Sequence, residues 1–68
     1  MFYQIDGTTL PWRLEEVNSS GDVLATMGRF SHAGIAIAAF DYAAGHEDFA
    51  NRRLMLLQRG RVVRKHRC

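Results

Sequence analysis

A chain of 68 residues makes one domain, spanning 1–68, with no room for a cleft between two lobes. At 47% hydrophobic and 24% charged it has the composition of a folded protein, which excludes disorder of the whole chain. The net charge of +2 conceals an asymmetry: residues 1–51 hold two basic residues against all seven acids, and residues 52–68 hold the other seven basic residues and no acid.

The opening stretch, MFYQID, is rich in aromatic and β-branched residues and predicts a first strand ending at the Asp6-Gly7 turn signal. It lacks a basic n-region and an apolar h-region, so no signal peptide is expected. No apolar run approaches the ~20 residues of a membrane helix. Pro11 bars the start of the next segment from a central ladder position. In WRLEEVN, Trp12 and Leu14 alternate with Arg13 and Glu15, which predicts a strand with one wet face. NSSGD is a loop by composition, and VLATMGRF resumes the strand pattern with Val23, Ala25 and Met27 on one side. Three strands joined by short loops predict an antiparallel meander.

The period then changes. Ser31 is suited to cap a helix over about residues 32–44, Phe30 and Ile35 have the spacing of a hydrophobic staple, and Gly45 suits the left-handed stop. Ala33, Ala36, Ile37, Phe40 and Ala44 share one face at steps of three and four. HEDFAN reads as a loop or a frayed helical extension anchored by Phe49. RLMLLQ and RVVRK, separated by Arg59-Gly60, read as a hairpin in which Gln58 faces Arg61, Leu57 faces Val62 and Leu56 faces Val63. That register places Leu54, Leu56, Val63 and Lys65 on one face, and Arg53, Met55, Leu57, Val62, Arg64 and His66 on the other. The expected class is α+β, in the order β-β-β-α-β-β: one antiparallel sheet with a single helix on one face.

The Ala-rich helix AGIAIAAFDYAA followed by the hairpin LMLLQRGRVV, within residues 31–65, resembles the small orphan proteins of phages and prophages in GC-rich bacteria. The resemblance is one of composition and order. It implies a non-enzymatic protein that binds and disables a host component, as the anti-CRISPR proteins do. Those proteins share no common motif, so no residue role carries over.

Among the chemistry-bearing residues, His32, His46, His66 and Cys68 lack the paired spacing of a metal site, and no metal or cofactor is expected. One cysteine forms no internal disulfide, which fits a cytoplasmic protein. Glu15 and Glu16 point to opposite faces of a strand, and both read as solvated, as do Glu47 and Asp48. No nucleophile has a base and an orienting group beside it, so the expected answer on enzymatic activity is no. The candidate contact residues are the basic ones: Arg52, Arg53, Arg59, Arg61, Arg64, Lys65 and Arg67. Arg outnumbers Lys eight to one. Arginine offers a planar fork for carboxylate or phosphate, although high genomic GC content gives the same bias. The expected partner is an acidic protein surface or a nucleoprotein, with no membrane involved. The alternative is direct, weakly specific nucleic-acid binding through the same residues. A solvated hairpin charged for solubility is the bland reading. No aromatic follows Phe49, so the stacking platform of a single-strand binder is missing there. Ile35 and Tyr42, opposite the helix core face, suggest a second contact or a homodimer surface.

Overall fold

The computed structural model describes residues 10–68. The first expected strand, MFYQID at residues 1–6, lies outside them. The described elements are β1 (Trp12–Val17), β2 (Val23–Phe30), α1 (Ala33–Gly45), β3 (Arg53–Gln58) and β4 (Arg61–His66). They build one antiparallel sheet in the order β2-β1-β3-β4, with the helix packed on one face, so the α+β class and the single-helix architecture hold. β1 takes a partner on each side, β2 through the short Asn18–Asp22 turn and β3 across the helix crossover. A simple meander of sequential strands is therefore not the topology.

The alternation in β1 decides what the helix covers. Trp12 and Leu14 point to the helix, and Leu54 and Leu56 of β3 meet them from the next strand. Ala36, Phe40 and Ala43 close the core from above. These three follow an i, i+4, i+7 line, and small alanines let the helix lie close to the sheet. Leu54 and Leu56 are fully buried, each contributing roughly 1.5–3 kcal/mol of apolar transfer.

Several local expectations need correction. Ala33 in the first helical turn is exposed, and Ala43 takes its place in the core. The helix starts and ends one residue later than expected. His32, not Ser31, is the N-cap, with extended backbone and no side-chain cap bond. Gly45 is the last helical residue, and the chain leaves through extended His46, whose N–H donates back to the Ala43 carbonyl. No left-handed stop is needed because that bond satisfies the end. The staple does not form: Ile35 is 58% exposed, while Phe30 packs against the core. In β2, two bulges leave Met27 and Leu24 without a partner in β1. Each extra residue reverses the alternation, so Val23 and Ala25 pair with residues of opposite faces, Val17 and Glu16. The face of β1 expected to be wet is also largely covered, with Glu15 and Val17 both buried.

The hairpin turn is as expected. Arg59 and Gly60 both have positive φ, 51° and 84°, the signature of a type I′ turn. Gln58 faces Arg61 and Leu57 faces Val62, but Leu56 faces Arg64, because Val63 is bulged out of register. Val63 packs against the core, and beyond it the faces exchange. Lys65 pairs with Met55 on the face opposite the helix, while Arg64 and His66 pair with Leu56 and Leu54 on the helix side. The sequence expectation had these three residues on the reverse faces. It assumed strict alternation, which a single bulge breaks.

Candidate partner-binding hairpin

The β3–β4 hairpin holds all seven candidate cations or their immediate flanks, and the structure sorts them into two groups. Arg52 and Arg67 are occupied in holding the chain together. The Arg52 guanidinium lies 3.4 Å from Oε1 of Glu16 and 5.1 Å from the ring centre of Phe49. This ties the loop after the helix to β1 by an ion pair and a cation–π contact. Arg67 takes a positive φ of 61°, which swings its Nε–H onto the Ala50 carbonyl and an Nη toward Asn51. His66 Nε2 lies 2.9 Å from the same Ala50 oxygen, a bond in which the ring donates when the proton is on Nε2. Two side chains from β4 and its end thus clamp one carbonyl of the 46–52 loop.

Arg53, Arg59, Arg61, Arg64 and Lys65 form the second group. All five are exposed, and among the described residues no carboxylate lies within ion-pair distance of any of them. Arg59 is at the tip and Arg61 opens β4. Arg53 and Lys65 stand on the face away from the helix, and Arg64 stands on the helix side. Among the described residues β4 is an edge strand, so its outer backbone groups lie beside these charges. Edge charges also discourage unwanted strand pairing, which is one structural reason for their presence.

Compared with protein-family models, curated proteins and solved structures, the chain matches none. Its site is read from its own geometry.

The acidic residues do not form a paired catalytic set. Glu15 and Glu16 point to opposite faces, as expected, but neither is simply solvated. Glu15 is 5% exposed and its carboxylate lies 3.5 Å from Nε of Arg13. A buried carboxylate needs such a partner, because leaving water unpaired costs far more than an exposed pair gains. Nδ1 of His46 accepts the Asp48 N–H at 3.1 Å and lies 3.6 Å from the Asp48 carboxylate. We read that contact as a local turn bond and not as an ion pair. Among the described residues no three of His, Cys, Asp and Glu converge as metal ligands, and no helix is long and apolar enough to cross a membrane.

The second candidate surface lies on the helix. Ile35 and Tyr42 are 58% and 69% exposed on the outer side of α1. Tyr42 has a neighbour the sequence reading missed. Its ring lies 5.4 Å from that of His46, and His46 lies 5.8 Å from Phe49, under Arg52. The signal was available: Tyr42 and His46 are four residues apart, the spacing at which side chains meet along a helix.

Proposed function

We propose that this protein is a non-enzymatic binder of phage or mobile-element type that acts in the cytoplasm. In this reading it engages an acidic surface on a host protein or nucleoprotein through the tip and outer edge of the β3–β4 hairpin, as an anti-CRISPR-like inhibitor would. The observation that carries the reading is the sorting of the cations. Two of seven are tied to the protein itself, and five are left exposed on a hairpin of defined turn geometry, with no carboxylate within ion-pair distance among the described residues. Arginines presented on a rigid hairpin lose less freedom on binding than arginines on a loop, and arginine is enriched among interface anchors. The reading is tested with Arg61→Glu/Arg64→Glu in a pull-down from nuclease-treated host lysate. A specific protein should be retained by the native chain and lost by the variant at unchanged circular dichroism. Retention by both, or by neither, sinks the hairpin as the contact surface.

A further inference from the structure

The face of the sheet away from the helix carries an open cleft of about 270 Å³, at the end where the β1–β2 turn rises beside β3 and β4. Its floor includes Val17 and Met55, and its walls include Ser19, Ser20, Arg53 and Lys65. The bulge at Val63 creates this grouping. With strict alternation Lys65 would face the helix, whereas the extra residue sets it beside Met55, diagonal to Arg53. Diagonal neighbours in an antiparallel pair lie about 7–8 Å apart, so both long side chains can reach one small ligand between them.

The opposite wall is held rigid. Oδ1 of Asn18 accepts the N–H groups of Ser20 and Asp22, both at 2.9 Å, and the Asn18 carbonyl accepts that of Gly21 at 3.0 Å. The turn therefore spends those backbone donors on itself, while Ser19 and Ser20 line a site with two cations. Neither Arg53 nor Lys65 has a carboxylate within ion-pair distance among the described residues. Two like charges sharing a cleft repel, and an anion seated between them relieves that repulsion.

We propose that this cleft is a binding site for the phosphate group of a small phosphate monoester. A monoester carries close to two negative charges at neutral pH, which matches two cations. Its tetrahedral oxygens can accept from strands and turn at once, and charge-assisted bonds of this kind are the strong ones. The cleft falls below the roughly 300–1,000 Å³ of pockets for drug-sized ligands, which suits a small ester. Half-buried Met55 offers apolar surface to the group it carries.

The site shares Arg53 and Lys65 with the five exposed cations of the partner reading, whereas Arg61 belongs to the hairpin edge, does not line the cleft, and so tells the two apart. The test is amide chemical-shift titration of the whole chain with inorganic phosphate and with phenyl phosphate, against chloride at matched ionic strength. Saturable shifts are expected at Ser19, Ser20, Arg53 and Lys65, with phenyl phosphate binding about threefold tighter or more through its ring. Arg53→Gln and Lys65→Gln should each weaken binding roughly tenfold, and Arg61→Gln by less than about twofold. Shifts that do not saturate, that centre on Arg59 and Arg61, or an equal loss in Arg61→Gln would overturn the site. Equal affinity for the two probes would overturn the choice of an ester over free phosphate.

Discussion

At the scale of single residues, backbone geometry makes the firmest claims. Gly60 at φ 84° sits where β-branched side chains fit worst. Gly60→Val is expected to lower stability by about 1 kcal/mol or more, read as a shifted denaturation midpoint. Arg59 at φ 51° pays for its side chain in the same turn, because left-handed backbone costs most residues about 1–2 kcal/mol. Asparagine tolerates that region, so Arg59→Asn should raise the midpoint, and an unchanged or lower one would show the turn is not of this type. The Arg59 N–H bond to the Pro11 carbonyl, 2.8 Å, is a backbone contact and survives that change. Gly28 has a different reason. A Cβ there would lie 2.7 Å from Cζ of Phe30, whose ring folds back over the glycine and onto the core. Gly28→Ala should cost about 1–3 kcal/mol as overpacking. In a double-mutant cycle with Phe30→Ala the cost at Gly28 should shrink, since the clashing ring is gone. Full additivity would mean the glycine serves something else.

At the scale of elements, what could be read in the sequence follows from which signals are local. The Arg59-Gly60 turn, the alternation of Trp12, Leu14, Leu54 and Leu56, and the three- and four-residue steps of α1 are written in neighbouring residues, and each element appears within a residue or so of its expected place. The bulges are not legible. Val63 is a valine beside a valine, and Leu24 and Met27 lie in an unbroken strand-like run. Nothing in their chemistry marks an extra residue, because a bulge is decided by how two strands twist together. The cost of missing one is large: the faces of Arg64, Lys65 and His66 were reversed, and with them the grouping of Arg53 with Lys65. The burial of Glu15 was equally hidden, since a Glu-Glu pair in a strand reads as surface. The core itself makes an element-level prediction. Leu56 is fully buried between Leu14 on β1 and the bulged region of β4. Leu56→Ala is expected to cost about 2–5 kcal/mol, much of what so small a domain has. Chemical denaturation should show the loss, and a cost under about 1 kcal/mol would mean the helix does not pack on β3 as described.

At the scale of the whole molecule, the segregation of charge argues about which partner the hairpin suits. If all five exposed cations met phosphates on duplex DNA, log affinity would fall with log salt at a slope of roughly −0.9 for each. The fold does not present them together. Arg53 and Lys65 look away from the helix, Arg64 looks toward it, and Arg59 holds the tip. One phosphate backbone running past the hairpin meets one face and the tip, so the slope should be no steeper than about −3. The acids oppose even this contact. Asp22, Asp41, Glu47 and Asp48 are all exposed, on the turn, the helix and the loop after it. The β1–β2 turn that carries Asp22 lies at the Arg53 end of the hairpin, so a long polyanion running along the hairpin from its tip meets both signs. Binding to free DNA or RNA is therefore expected to be weak and to vanish near physiological salt. A protein partner shaped to the hairpin edge can take the arginines out of water, where salt screens them less, and its binding should persist there. Anisotropy titration of a labelled duplex across salt concentrations checks this directly. A slope of −4 or steeper, with submicromolar affinity at 150 mM salt, would mean that both faces are engaged and that nucleic acid is the partner.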